Sequence, residues 1–307
     1  MQSTIIRIGT RGSPLALAQA DEVARRLAQA HRDAGVIVEI VAIRTTGDRL
    51  KETPLTEAGG KGLFTKEIEE ALLAREVDIA VHSAKDMPTV LPPGLSLAGC
   101  LEREDARDVF IGRSAGSIED LPRGAVLGTS SLRRRALALR QRPDLRVVEF
   151  RGNVGTRLEK LANGLADGTL LAMAGLKRLH MQDRGTSILD PHTFVPAIGQ
   201  GAIAIEVRAS DTATAEWITP ILHADTGGAV DAERAFLATL DGSCRTPIGG
   251  HARIANGGLS FHGIIITPDG RIAHEAKREG SASDAVRIGL DAGEELARRG
   301  GPDFFRH

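Results

Sequence analysis

Short apolar segments alternate with segments of helical period along the first two thirds of the chain, and most apolar segments end in a turn of Gly, Ser, Thr or Arg. STIIRIGT precedes PLALAQADEVARRLAQAH, and VIVEIVAIRT and LFTKEIEEALLARE lead on to VDIAVHSAKDMP. A strand followed by a helix returns to a parallel neighbour only by crossing the face of a sheet, so this alternation predicts parallel βαβ units. The pattern then restarts with AVLGTS, SLRRRALALRQR, LRVVEF, RLEKLANG and GTLLAMAG, and VPAIGQGAIAIEVR returns to strand character. Two such runs predict two α/β lobes, and 307 residues are more than one core usually holds. Ser13 is placed to cap the first helix, with Pro14 at its first position.

Past about residue 224 the pattern changes. DAERAFLATL reads as a helix, and HARI, LSFHGIIIT and RIAHEAKR read as strands joined by ANGG and TPDG turns. The last helix is expected over SASDAVRIGLDAGEELARR, with Ser281 and Asp284 at the spacing of a capping box. These elements predict a small α+β C-terminal domain. The segment from Thr45 to Gly62 is polar and glycine-containing, and is read as a mobile loop.

Lys and Arg number 39 against 40 Asp and Glu, so no global field favours nucleic acid. Aromatic residues make up 3% with no tyrosine, which argues against a base-stacking platform. No apolar run approaches the ~18 residues of a membrane span, and MQSTIIRIGTRGSP lacks the apolar core of a secretion signal. Two distant cysteines make no disulfide framework. The expectation is a cytoplasmic enzyme or binding protein with neither nucleic-acid nor membrane partners. No HExxH, CxxC or Cys/His cluster predicts a metal. GGKGLF and IGTRGS miss the phosphate-loop spacings, and no GxSxG marks a serine hydrolase.

The arginines are more informative. Arg11, Arg133, Arg134, Arg151 and Arg157 all fall between a predicted strand and the start of a helix. A helix N-terminus is already partly positive, so extra cations there imply an anion in the gap. With the phosphate motifs failing, a polycarboxylate suits the guanidinium forks. Arg135, Arg140 and Arg142 are read as surface residues. Asp86, beside Lys85, is either an exposed neighbour pair or a carboxylate held ionised among these cations. Cys244, in the loop GSCRTPIGG, is either an inert thiol or a nucleophile whose pKa Arg245 lowers. Cys100 is read as structural.

Many segments in order, among them RIGTRGSPLALAQ, TTGD, GGKGLFTKE, DIAVHSAKDMP, EREDARD, GTSSLRRR, RGNVGTRL, AGLKRL, PAIGQGA and GSCRTPIGG, resemble the hydroxymethylbilane synthases, also called porphobilinogen deaminases, over nearly the whole chain. The resemblance implies two periplasmic-binding-protein-like α/β lobes plus a small α+β C-terminal domain. Lobe one would take residues 1–101 and 202–219, lobe two 107–195 and the cofactor-anchoring domain 224–307. It implies a monomer carrying a dipyrromethane on Cys244 through a thioether. Four porphobilinogens would be joined head to tail onto it with loss of ammonia, and the linear tetrapyrrole released by water.

By the same resemblance Asp86 is catalytic. Lys85, Ser83, Thr129, Ser130, Ser131, Arg133, Arg134, Arg157 and Gly175 would hold the cofactor. Arg11, Ser13, Gln19, Lys61, Phe64, Arg151, Arg157, Arg178 and Gln200 would hold substrate. Phe64 either stacks on a pyrrole or packs in the core, and Arg245 either assists the thiolate or binds a carboxylate. Glu57 and Ser243 depart from the residues common in the family, Lys and Gly respectively.

Overall fold

The computed structural model describes residues 4–49, 64–242 and 246–306. Glu57, Lys61, Ser243, Cys244, Arg245 and most of the expected mobile loop therefore lie outside the described residues. The chain opens with β1 (Ile5–Arg11), α1 (Pro14–Ala30), β2 (Ile37–Ile43), α2 (Thr46–Arg49), α3 (Lys66–Leu73), β3 (Ile79–Ser83) and β4 (Leu95–Cys100). It continues with β5 (Asp108–Gly112), β6 (Val126–Gly128), α4 (Leu132–Gln141), β7 (Arg146–Val148), α5 (Val154–Ala162), β8 (Gly168–Ala172), α6 (Met173–Arg178) and β9 (Ser187–Ile188). It closes with β10 (Ile203–Arg208), α7 (Thr212–Ile218), α8 (Ala224–Thr239), β11 (Ile248–Ala255), β12 (Gly258–Ile266), β13 (Ala273–Ser281) and α9 (Ala285–Gly300). One compact unit runs to Arg103 and adds Ala202–Gly227; the other holds Glu104–Gly201 and everything from Gly228.

The first unit is built on a five-stranded sheet of order β2-β1-β3-β10-β4. Its central strands are largely buried on both faces, as strands covered on each side must be. α1 forms because Ala16, Ala20, Val23 and Leu27 fall on one stripe at helical spacing and are all buried. Ser13 caps it, accepting from the Ala16 N–H at 3.3 Å, and Pro14 stands at its start. The chain leaves α1 through His31, whose ring packs edge-on against Trp217 at 4.7 Å. Cys100 is buried.

The sheet of the second unit runs β7-β6-β8-β5-β9. Both sheets are mixed: the strands joined through helices run parallel, as expected, and each sheet adds antiparallel strands. β1, β2 and β3 run parallel, but β10 lies antiparallel between β3 and β4. Likewise β6, β7 and β8 are parallel while β5 is antiparallel to β8 and β9. β5, in DVFIG, carries no helical partner of its own, so the strand–helix alternation does not signal it.

The C-terminal three-stranded sheet, β11-β12-β13, is a meander with α8 and α9 packed on its core around Phe236, Phe261, Ile288 and Leu296. Ile264 and Ile266 of β12 share a second core with Phe110, Leu127 and Phe194 of the neighbouring sheet. Two boundaries differ from the sequence pattern. α8 starts before the predicted segment, at Ala224. The Ser281–Asp284 capping box does not form: Ser281 accepts from the Ser283 N–H, a short 3-10 turn follows, and α9 starts only at Ala285.

Candidate active site

In the first unit β1 and β3 run parallel, so their carboxyl ends open onto the same side of the sheet. A pocket there is lined by Arg11, Ser13, Gln19, Phe64, His82, Ser83 and Asp86, among others. Arg11 ends β1, Ser13 caps α1, and Gln19 lies one and a half turns further along the same helix. Gln19 is buried and donates from Nε2 to Ser83 Oγ at 2.9 Å, which ties the helix to the end of β3. Lys85 and Asp86 follow Ser83 in one 3-10 turn, Ala84–Asp86. Phe64 lies beneath the Arg11 guanidinium, 4.2 Å from carbon to ring centroid. Neither sequence alternative for Phe64 included that role. A ring face under a cation holds its head by electrostatic attraction and limits where it can aim.

The second unit presents hydroxyls and cations on the turns before α4 and α5. Thr129 Oγ1 accepts from the Ser131 N–H at 3.2 Å, Ser130 Oγ from the Phe150 N–H at 3.0 Å, and Ser131 Oγ from the Arg134 N–H at 3.3 Å as the α4 cap. Each hydroxyl thus spends a lone pair on the backbone and keeps its O–H as a donor, the polarity an anionic ligand requires. Asn153 caps α5 by accepting from Thr156 N–H. Arg157 Nε donates to the Gly152 carbonyl at 2.9 Å. Arg151 holds a buried Nη1 with no hydrogen-bond partner among the described residues. A buried guanidinium nitrogen left unsatisfied is costly, so an acceptor at that point would be stabilising.

Arg133 and Arg134 both meet an anion within the chain: Asp108, fully buried at the start of β5. Arg133 Nη1 meets Asp108 Oδ2 at 2.8 Å and the Val195 carbonyl at 2.8 Å. Arg134 donates to Asp108 Oδ1 from Nε at 3.0 Å and from Nη2 at 2.8 Å, and its Nη1 reaches the Leu170 carbonyl. Gln200 Nε2 donates to the Ala106 carbonyl and to Asp108 Oδ1. Burial on its own would raise the Asp108 carboxyl, but the two arginines override it and hold it down at about 2. One carboxylate cannot neutralise two guanidiniums, so the cluster keeps a net positive charge. The sequence shows this only as an acid opening a short apolar strand, in RDVFIG.

Gly175 is buried within α6, and Arg178 Nη2 donates to the Gly201 carbonyl at 2.9 Å. Arg142 is not the surface residue expected: its Nη1 collects the carbonyls of Ile118, Glu119 and Leu121, and Asp144 pairs with its other nitrogens. Arg135 and Arg140 are exposed as expected. Among the described residues no group of three or more His, Cys, Asp or Glu could hold a metal ion, and no helix is long and apolar enough to cross a membrane.

The family model for the porphobilinogen deaminase dipyromethane cofactor binding domain matches residues 6–216, and that for the porphobilinogen deaminase C-terminal domain matches 228–298. A porphobilinogen deaminase of Nitrobacter winogradskyi is 57% identical over 97% of this chain and 94% of its own. One from Nitrobacter hamburgensis is 56% identical over the same shares. Among solved structures, a periplasmic aliphatic sulphonate binding protein of Escherichia coli superposes with a TM-score of 0.43 at 14% identity, over 76% of this chain and 70% of that one. With both of its domains matched and relatives at this identity over nearly its full length, the chain belongs to the porphobilinogen deaminase family.

Proposed function

We propose that this chain is a hydroxymethylbilane synthase, a transferase of tetrapyrrole biosynthesis. It condenses four porphobilinogen molecules head to tail, losing one ammonia at each joining, and releases hydroxymethylbilane by hydrolysis. The observation that carries this reading is the pocket at the ends of β1 and β3, which sets Asp86 beside Arg11, Ser13, Gln19 and Ser83 in a chain of this family.

The donor set fits a dipyrromethane, whose pyrroles carry acetate and propionate arms. Arg151 offers an unsatisfied buried nitrogen, and Thr129, Ser130 and Ser131 offer hydroxyl protons. Bound through Cys244, this cofactor supplies the pyrrole α-carbon that starts the chain. Ser83 and Lys85, at the end of β3, would bind its carboxylates, and Arg157 and the backbone at Gly175 belong to the same proposed cofactor set. Arg133 and Arg134, whose cluster with Asp108 keeps a net positive charge, belong to the same cofactor set. Lys61 joins the substrate set from outside the described residues.

Arg11, held over Phe64, binds a substrate carboxylate, and Arg151, Arg178 and Gln200 serve the same set. The protonated aminomethyl arm leaves as ammonia, and positive charge develops on the substrate's pyrrole nitrogen. Asp86 stabilises that charge as a preorganised carboxylate. It then takes part in removing the α-carbon proton displaced by the new C–C bond. The protein is proposed to act in the cytoplasm as a monomer, with no nucleic-acid or membrane partner.

The test is incubation of the purified protein with porphobilinogen, following ammonia and hydroxymethylbilane together. About four ammonia per tetrapyrrole is the expected yield. Binding of porphobilinogen without either product would reduce the protein to a binding module.

A further inference from the structure

Beneath the pocket lies a group of buried ionisable residues that the proposed chemistry does not use. His82 stands on β3 one residue before Ser83, and its Nε2 lies 3.1 Å from Glu206 Oε2. Their side chains are 2% and 0% exposed. In the antiparallel β3–β10 register His82 faces Ala204 and Glu206 faces Ala80, so the two are diagonal neighbours on one face of the sheet. Ala80 packs on that face with Ile68, Ala71 and Leu72 of α3.

α3 adds a third member, the buried Glu69. Burial lifts its carboxyl above the ordinary range and the Glu206 charge adds to that, against the pull of His82. Arg208, two residues along β10, is engaged elsewhere by the Leu72 and Val77 carbonyls and by Asp211. Glu206 Oε1 and Glu69 Oε1 have no hydrogen-bond partner among the described residues. An apolar triplet would fill this layer at lower cost, since buried ionic groups are stabilising only when fully paired. The elements that meet here supply pocket residues: Phe64 directly precedes α3, and Ser83 and Asp86 follow His82. His82 itself lines the pocket while its Nε2 is committed to Glu206.

We propose that Glu206 is a positioning residue: it holds His82 with Nε2 protonated and Nδ1 left for the pocket, and so fixes the strand end that carries Ser83 and Asp86. The role rests on the synthase reading, but its first test does not depend on turnover. In the ¹⁵N spectrum of histidine-labelled holoenzyme, His82 should carry a proton on Nε2 at neutral pH; a neutral ring protonated on Nδ1 alone overturns the proposal. In Glu206→Gln holoenzyme, kcat should fall about 10-fold or more, as misplacement of reacting groups by a fraction of an ångström does. KM should stay within about twofold and the cofactor mass should be unchanged. Unaltered kcat, or a fall in kcat matched by lost cofactor, overturns it as well. If the variant does not fold, the spectrum of the parent protein decides alone. Absence of turnover in the parent would instead refute the synthase reading and leave the histidine result standing.

Discussion

Asp86 is the one carboxylate among the described residues lining a pocket otherwise furnished with Arg11, Ser13, Gln19 and Ser83. Replacing it by asparagine keeps shape and removes charge, so Asp86→Asn should lower kcat by about 10²–10³-fold, the usual cost of losing one preorganised electrostatic group, with the cofactor mass retained. Arg151 offers a different kind of test because its Nη1 has no hydrogen-bond partner among the described residues. Arg151→Leu should raise KM or lower cofactor loading by about 1.5–3 kcal/mol, one charged hydrogen bond, while stability measured in urea changes little. Asp108 should behave in the opposite way. Its folded pKa, about 2, lies below the ordinary 3.8, so it contributes stability that is complete above about pH 4 and lost as pH falls toward 2. Asp108→Asn leaves two guanidiniums buried around a neutral group and should cost about 3–5 kcal/mol in urea unfolding at neutral pH, with the acid-dependent part of the stability curve gone. The sequence placed these arginines at helix starts and inferred an anion. It could not say which anion, because Asp108 is remote in sequence and opposite in space.

The elements most legible in the sequence are those whose side chains repeat on one face. α1, α3, β1 and β3 fall where period and capping place them, and so does the Ser83–Asp86 turn that ends β3. β5 and β10 are harder. Each is a short apolar strand whose direction depends on where the chain has been brought from, which no local pattern records. Helix starts also moved: Ser281 turned its hydroxyl to a tight turn instead of a capping box, because one more 3-10 turn fits between β13 and α9. Close packing of α9 on α8 makes a prediction at this scale. A Cβ at Gly289 would lie 2.0 Å from the Ala232 carbonyl oxygen, which is backbone and cannot rotate away. Gly289→Ala should therefore destabilise by about 1–3 kcal/mol, seen as a lower urea midpoint at unchanged slope.

For the whole molecule the decisive quantity is mass. The purified chain should weigh more than its sequence by two linked pyrrole units, and the Cys244→Ser variant should not; equal masses would leave the anchor unassigned to Cys244. The net charge of −1 gives no long-range field to steer a charged ligand. One further consequence follows from β10, which sits between β3 and β4 although about a hundred residues separate it from either. On the ribosome, the first lobe emerges without the strand that its sheet needs: among the described residues β4 pairs only with β10. The second lobe's sheet, complete by Ile188, is assembled from contiguous chain. Synthesis thus reverses the usual N-terminal-first order. Nascent chains stalled before Ile203 clears the tunnel should show a protease-sensitive first lobe beside a more protected second one, and the first should become resistant only once β10 is free to insert.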